Sequence, residues 1–150
     1  MRSRWDYAER QLTVAGRVAN VCDWRLAPED IERIRILVVT LAITIVLSIL
    51  LKGAIDLIRP CASIEGVDCP PGYAYPSLHT STAFSFVFAL IGHPLLPVAY
   101  TLAVLTGWSR ILLHAHTWYD IAGGIAVGGF GYNFATSLLR RSGRGSGGDR

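Results

Sequence analysis

The sequence predicts an all-α integral membrane protein, a helical bundle of about four transmembrane helices preceded by an N-terminal amphipathic segment. Hydrophobic residues make up 51% of the 150 residues, charged residues 17%, and the mean hydropathy is +0.39. Soluble domains are usually less apolar than this and more highly charged. Of the 14 basic residues, seven fall within residues 1–35 and four within residues 140–150. This distribution is typical of cytoplasmic termini, whereas a nucleic-acid-binding surface would be basic in its folded part.

Three segments are expected along the chain. Residues 1–33 mix apolar and charged side chains, so they are expected to form either an amphipathic helix on the membrane surface or a partly ordered cytoplasmic arm. They contain no apolar stretch of the kind found in a cleavable signal peptide. Residues 34–139 are expected to form the transmembrane core. Residues 140–150 are rich in Gly, Arg and Ser, which predicts a disordered cytoplasmic tail.

The first predicted span is Ile34–Leu51, an apolar run just long enough to cross the hydrocarbon of a membrane. Its helix is expected to continue beyond the span and to be stopped by Pro60. In that case three charged residues would share one helix face: Lys52, Asp56 and Arg59.

A loop rich in proline and glycine follows at residues 60–76. Cys61 and Cys69 lie within this loop. If the loop lies outside the cytosol, the two cysteines are expected to form a disulfide. The alternative is a pair of unrelated thiols, and the sequence leaves both open.

Three further spans are predicted after the loop. His79–Ile91 is short for a span, and its upper end is expected to sit below the interface. Pro97–Leu113 and Thr117–Leu139 follow after short connections, which predict antiparallel neighbours in a bundle. Gly124 and Gly128 in the last span form a small-xxx-small pair that permits close helix packing.

Four spans with both termini in the cytoplasm would place residues 52–77 and 108–118 on the same, extracytoplasmic side of the membrane. Polar residues that are rare in an apolar chain then gather at this surface, with His79 lining a wet cavity. They are Lys52, Arg59, Ser77, His79, Arg110, His116 and Asp120. The active site is therefore expected on the extracytoplasmic side.

His116 and Asp120 lie four residues apart, so they face the same side of any helix that they begin. The carboxylate can hold one imidazole nitrogen and leave the other free to act as a nucleophile or base. Three cations, Lys52, Arg59 and Arg110, have few acidic partners within the spans. They predict a phosphate or diphosphate head group as the ligand.

The remaining polar residues fit phosphoryl transfer. Ser77 adds a hydroxyl, and the amides that open the following helix add further donors. His79 can protonate a departing oxygen while His116 attacks phosphorus and Asp120 fixes its tautomer. No metal or other cofactor is expected, because the cations neutralise the charge. His114 is expected to be a packing or supporting residue rather than a metal ligand.

Three stretches resemble the signature motifs of the type 2 phosphatidic acid phosphatase (PAP2) superfamily. They are Lys52-x6-Arg59-Pro60, Pro76-Ser77-Leu78-His79 and Ser109-Arg110-x5-His116-x3-Asp120. The resemblance implies a helical membrane core that hydrolyses lipid phosphates or diphosphates through a phosphohistidine. It implies His116 as nucleophile, Asp120 as its partner and His79 as acid. The phosphate ligands that it implies are Lys52, Arg59, Ser77, Leu78 through its backbone amide, and Arg110.

The second motif departs from the usual Pro-Ser-Gly-His, because Leu78 replaces the glycine. A leucine amide can still donate a hydrogen bond, but a turn with positive φ would be strained. The variant also resembles members that transfer a phosphorylated head group, so transfer stays open beside hydrolysis, which the intact first motif favours. A protein that only binds phosphorylated lipids is the other alternative. It would need the cations but not both histidines and Asp120.

The candidate substrates are undecaprenyl diphosphate, phosphatidate and phosphatidylglycerol phosphate. The expected partners are therefore a membrane lipid phosphate and the lipid bilayer, with no nucleic acid. The chain carries no extra N-terminal spans like those of many relatives, so it resembles a minimal core. Completion of this core by a homo-oligomer stays open.

Overall fold

The structure, a computed structural model, describes residues 28–145, and within this range it contains only helices and loops. The helices are α1 (Pro28–Ile55), a short 3-10 helix (Pro60–Ser63), α2 (Leu78–Ala89), α3 (Leu96–Leu112) and α4 (Trp118–Gly145). The prediction of an all-α helical bundle is confirmed. The amphipathic segment predicted at the N terminus falls almost entirely outside the described residues.

The four helices differ greatly in length. Helices α1 and α4 have 28 residues each, which corresponds to about 42 Å at 1.5 Å per residue. Helix α2 has only 12 residues, or about 18 Å, and is too short to cross the hydrocarbon alone. Within the described part of the chain, one stretch, Pro28–Ser63, is long and apolar enough to cross a membrane by length and composition.

Helix α1 is apolar on the outside and polar on the inside. Its buried residues are Thr40, Thr44 and Ser48, whereas large side chains such as Val46 and Leu50 are exposed. In water this arrangement would leave much apolar surface solvated, which is unfavourable. In a lipid bilayer it is the expected one, because small polar residues at helix interfaces allow close packing and hydrogen bonding.

The buried hydroxyl groups join α1 to α2. The side chains of Thr44 and Ser85 are 3.2 Å apart, and those of Ser48 and Ser81 are 3.1 Å apart. Each of these pairs is a hydrogen bond between two helices, of a kind that contributes roughly 0.6 kcal/mol on average in a membrane protein. They fix α2, which also packs against both α3 and α4, at the centre of the bundle.

Glycines allow α4 to approach the backbone of α2. A Cβ atom at Gly124 would lie 2.8 Å from the Ser77 carbonyl oxygen, and one at Gly128 would lie 2.7 Å from the Ser81 carbonyl oxygen. Real Cβ atoms do not come this close to backbone oxygen, so both positions require glycine. The predicted close helix contact at this pair is confirmed.

The predicted end of α1 was wrong. The helix ends at Ile55, and Asp56 adopts a left-handed conformation with φ of 49°. The Asp56 amide still donates to the Lys52 carbonyl over 3.3 Å, and the chain then turns away. Aspartate tolerates this conformation better than most residues. Lys52 and Arg59 therefore do not share a helix face, and Pro60 opens the 3-10 helix instead of stopping α1.

The other end of the bundle also differs from the prediction. Helix α4 extends to Gly145, so residues 140–145 are helical and not part of a disordered tail. Arginine and leucine near this end are good helix formers, and basic residues are favourable at a helix C terminus. Residues 146–150 lie outside the described range.

Candidate active site

The turn between α3 and α4 holds the side chain of Asp120 in a fixed orientation. Asp120 Oδ2 accepts hydrogen bonds from the Thr117 amide over 2.6 Å and from the Thr117 hydroxyl over 3.0 Å. The Asp120 amide donates back to the Thr117 hydroxyl over 3.4 Å. This reciprocal pattern is a capping box, which commonly begins a helix. The start of α4 therefore positions the carboxylate.

His116 faces this carboxylate. Its Nδ1 atom lies 3.6 Å from Asp120 Oδ2, and both side chains are buried. The contact is slightly longer than a hydrogen bond, and Nδ1 has no hydrogen-bond partner within the described residues. Since Nδ1 faces Asp120, Nε2 is the ring nitrogen left to meet a substrate.

The surroundings of His116 favour its neutral form. Burial lowers the pKa of His116 to about 4, the charges of Arg59 and Lys52 act in the same direction, and Asp120 opposes them. At pH 7 the imidazole is therefore neutral and retains a nitrogen lone pair. This is the form that nucleophilic attack requires.

Two of the cations are tethered to the loop that follows the 3-10 helix. Lys52 Nζ donates to the carbonyl oxygens of Tyr73 over 2.7 Å and Ala74 over 3.3 Å. Arg59 Nε donates to the carbonyl oxygen of Gly72 over 3.1 Å. Three successive carbonyls, at residues 72–74, therefore hold the first-motif cations in place.

The three cations lie near His79, and Arg59 and Lys52 also lie near His116. Arg110, Arg59 and Lys52 all lie close enough to His79 to act on its charge. None of the three forms an ion pair with a carboxylate within residues 28–145. A cluster of cations in an apolar protein requires an anionic partner.

Ser77 and Leu78 form the start of α2. Ser77 is the N-cap residue, is fully buried, and accepts a hydrogen bond from the Thr80 hydroxyl over 3.0 Å. Leu78 is the first helical residue and does not have a positive φ. The strain expected from replacing glycine at this position is therefore absent. The first amides of α2 have no partner within the helix, as at any helix N terminus.

Backbone hydrogen bonds connect the segments that carry these residues, and a disulfide closes the loop between the first two motifs. The Ser77 amide donates to the Asp120 carbonyl over 3.0 Å, and the Cys61 amide donates to the His114 carbonyl over 2.9 Å. Cys61 and Cys69 are joined by a disulfide. The sequence alone did not decide between a disulfide and two unrelated thiols, and the structure contains the disulfide. Backbone hydrogen bonds therefore join the second motif to the third, and they join Cys61, which follows the first motif, to the third as well.

The structure therefore brings together His79, His116, Asp120 and the three cations, with Ser77 and Leu78 at the adjacent helix start. Sequence reasoning missed the role of Thr117, although Thr117-x-x-Asp120 is a recognisable capping-box pattern. It also missed Thr80, which supports Ser77. The carbonyls at residues 72–74 leave no signal in the sequence, since every residue has one.

The described residues contain no group of three or more His, Cys, Asp or Glu side chains that could hold a metal ion. His114 has a positive φ of 50° and an exposed side chain, and its carbonyl oxygen accepts the bond from Cys61.

Comparisons with known proteins point to one family. Sequence comparison with curated proteins gave no match. The crystal structure of LpxE from Aquifex aeolicus is similar, with a TM-score of 0.62 and 25% identity over 71% of this chain and 68% of that one. The transmembrane PAP2-type phosphatidylglycerolphosphate phosphatase from Bacillus subtilis has a TM-score of 0.60 and 19% identity over 91% of this chain and 70% of that one. The sequence model of the PAP2 superfamily matches residues 33–144. The chain is an integral membrane protein with the fold of the PAP2 membrane phosphatases, and it belongs to the PAP2 superfamily.

Proposed function

We propose that the protein is a membrane lipid phosphatase that hydrolyses lipid phosphates or diphosphates through a phosphohistidine, without a metal ion. The observation that carries this proposal is the buried His116, whose Nδ1 lies 3.6 Å from Asp120 Oδ2. Burial and the nearby Arg59 and Lys52 lower its pKa, which favours the neutral form. A protein that only binds phosphate would need the cations. It would gain nothing from an imidazole held in this way.

In the proposed first step, Nε2 of His116 attacks phosphorus, and the bond from phosphorus to the lipid oxygen breaks. Protonated His79 gives its proton to that oxygen and becomes neutral, so the lipid leaves as an alcohol or, from a diphosphate, as a monophosphate. Asp120 stabilises the positive charge that develops on His116. Lys52, Arg59 and Arg110 balance the charge on the phosphoryl oxygens.

In the second step, His79 accepts a proton from water, and the resulting hydroxide attacks the phosphorus of the phosphohistidine. The bond from phosphorus to Nε2 breaks, which releases phosphate and restores neutral His116. Attack by an alcohol in place of water would give head-group transfer. The amide of Leu78 and the hydroxyl of Ser77 are proposed to bind the same phosphoryl oxygens in both steps.

The lipids proposed as substrates are undecaprenyl diphosphate, phosphatidate and phosphatidylglycerol phosphate. The last is supported by the similarity to the phosphatidylglycerolphosphate phosphatase of Bacillus subtilis. We propose that both termini are cytoplasmic and that the site faces the extracytoplasmic side. The disulfide between Cys61 and Cys69 supports this orientation, because such bonds persist in oxidising compartments.

The test is phosphate release from a panel of these three lipids by the full chain in detergent with EDTA present. Turnover that survives EDTA and is lost in His116→Ala supports the proposal. Brief reaction with a 32P-labelled lipid monophosphate should give a protein-bound label that is labile in acid and stable in base, as expected of a phosphohistidine. Full activity in His116→Ala would rule out this nucleophile, and product appearing only when an alcohol is added would favour head-group transfer.

A further inference from the structure

We propose that the hydrocarbon chain of the substrate lies in a groove between α2 and α3, with His79 at its polar end. This inference rests on the function proposed above. The groove encloses about 390 Å³. Its apolar walls are Ala83 and Phe86 from α2, Leu90 directly after this helix, and Ala99, Leu102 and Ala103 from α3. In this position the hydrocarbon chain lies next to the phosphate.

The walls of the groove offer hydrocarbon surface along its length. Thr82 and Thr106 also line it, but the Thr82 hydroxyl donates to the Leu78 carbonyl over 2.9 Å and the Thr106 hydroxyl donates to the Leu102 carbonyl over 2.8 Å. Their hydroxyl groups are therefore already bonded within their own helices. An occupant of the groove would meet methyl, methylene and aromatic groups, with His79 as the one titratable side chain in the wall.

The register of the two helices gives the groove a direction. A Cβ at Gly107 would lie 3.8 Å from the Thr80 hydroxyl oxygen, so this part of α3 is level with the start of α2. The rings of Phe84 and Tyr100 lie 6.4 Å apart further along. The groove therefore runs away from the cation cluster, and from His79 to Leu90 it extends about 16 Å along α2.

The chemistry of the reaction requires the lipid on this side. In phosphoryl transfer the attacking and leaving atoms lie roughly in line, on opposite sides of phosphorus. His116 attacks in the proposed mechanism, so the oxygen that His79 protonates lies on the side away from His116. That oxygen is bonded to the remainder of the lipid. The general acid must therefore lie between the cation cluster and the lipid chain. His79 lies at this position.

Exposure of the two histidines agrees with this direction. His116 is 4% exposed, whereas His79 is exposed. A substrate therefore approaches from the side of His79.

A second apolar groove, of about 400 Å³, lies between α1 and α4 and is lined by residues such as Ala42 and Phe130. It contains no residue of the candidate site, so it serves as the matched control.

The experiment compares butyl phosphate with hexadecyl phosphate as substrates of the full chain in detergent. Leu102→Trp and Ala99→Phe each add bulk inside the groove, and Ala42→Phe adds the same bulk to the control groove. Leu102 is 60% exposed, so its replacement does not disturb the core. The measured quantity is the ratio of kcat/KM for the long substrate to that for the short one. Each substrate partitions into the detergent micelles to the same extent in every assay, so this effect cancels when the ratios of different variants are compared.

We expect hexadecyl phosphate to be strongly preferred by the wild-type chain, and the ratio to fall about tenfold or more in both groove variants. Ala42→Phe should leave the ratio unchanged. An unchanged ratio in Leu102→Trp, or an equal fall in Ala42→Phe, would overturn the inference. So would a change of oligomeric state in Leu102→Trp with the ratio preserved, because the groove would then be a contact between copies.

The outcome separates this inference from the proposed function. Phosphate release from both substrates, with a ratio that the groove variants do not change, would contradict the groove alone. Release from neither substrate by the wild-type chain, nor from the lipid panel, would contradict the proposed function and the groove with it.

Discussion

The hydroxyl of Thr80 donates a hydrogen bond to the hydroxyl of Ser77 over 3.0 Å, and both residues are fully buried at the start of α2. A serine hydroxyl has one proton and two lone pairs. Because Ser77 accepts from Thr80, its own proton is directed to another partner. Under the proposed function this partner is a phosphoryl oxygen, which makes Thr80 a positioning residue that acts through Ser77.

Thr80→Val keeps the shape of the side chain and removes this donor. We expect kcat/KM for a lipid phosphate to fall about tenfold, as is usual for the loss of one buried hydrogen bond. Thr80→Ser should restore most of the activity. The decisive measurement is a double-mutant cycle, since Thr80→Val should have little further effect in a Ser77→Ala background. If Thr80→Val reduced kcat/KM by the same factor in the Ser77→Ala background, Thr80 would act by stabilising the fold and not through Ser77.

Asp120→Asn should reduce kcat far more than it reduces affinity. The carboxylate faces His116 Nδ1, and its charge is needed most when the imidazole becomes positive in the transition state. We expect kcat to fall at least about 100-fold while KM changes less than about threefold. Steady-state kinetics in detergent measures both. Equal losses in kcat and in affinity would indicate that Asp120 only holds the start of α4.

Thr117→Val is the matched control for this variant. It removes the side-chain hydrogen bond of 3.0 Å to Asp120 Oδ2 and leaves the amide bond of 2.6 Å and the negative charge. The loss of a helix cap costs roughly 1 kcal/mol of stability. We therefore expect a lower unfolding temperature and a much smaller loss of kcat than in Asp120→Asn.

Activity should persist well below pH 6, because burial lowers the pKa of His116 to about 4. Neutral His116 is the reactive form, so kcat/KM should fall only when the pH approaches that value. Arg59→Gln removes one cause of the shift, and its acid limb should lie at higher pH. A pH profile of kcat/KM, which reports the pKa values of the free enzyme, tests this. An acid limb near the ordinary histidine pKa of about 6.5 in the wild-type chain would contradict it.

The same shift has a consequence for stability. A histidine whose pKa is lower in the folded state binds more protons when unfolded, so stability rises with pH between the two pKa values. The contribution of His116 is fully present above about pH 6.5 and is lost as the pH falls toward 4. Thermal unfolding of His116→Gln should therefore depend less on pH over this interval than unfolding of the wild-type chain.

The sequence predicted the helical bundle from hydropathy and from the basic residues at its ends, and the spacing of His116 and Asp120 predicted that these two side chains would face each other. The sequence-based prediction was wrong at the end of α1, where Asp56 adopts a left-handed backbone conformation. The chain beyond it is fixed by a distant contact, in which the Ala74 amide donates to the Leu57 carbonyl over 2.7 Å. Such a contact between loop segments leaves no periodic pattern. The strain expected at Leu78 depended on where α2 begins, which local sequence does not determine to one residue.

Loss of the disulfide should weaken the site as well as the fold. The bridge between Cys61 and Cys69 closes the loop that leads to the carbonyls holding Lys52 and Arg59. For a loop of this length, the chain-entropy model gives a stabilisation of about 2.5 kcal/mol. We expect Cys61→Ser/Cys69→Ser to unfold at lower temperature and to have a raised KM.

Dithiothreitol supplies the control for this prediction. It should reproduce the effect of the double substitution in the wild-type chain and should add nothing in Cys61→Ser/Cys69→Ser, which retains only Cys22. A wild-type KM that does not respond to complete reduction, verified by thiol labelling, would show that the loop holds its cations without the bridge.

Gly128→Ala should destabilise the bundle, whereas Gly53→Ala should not. A Cβ at Gly128 would lie 2.7 Å from the Ser81 carbonyl oxygen, but a Cβ at Gly53 would meet nothing within 4 Å. Both glycines lie in helices, where alanine by itself is favoured by roughly 0.5–1 kcal/mol. Overpacking costs about 1–3 kcal/mol, so the net effect at Gly128 should be a lower unfolding temperature. Because Ser81 lies one turn beyond Ser77 on α2, displacing α4 there should also reduce kcat. Unfolding and turnover of the two alanine variants, measured side by side, would contradict this packing argument if Gly128→Ala matched Gly53→Ala.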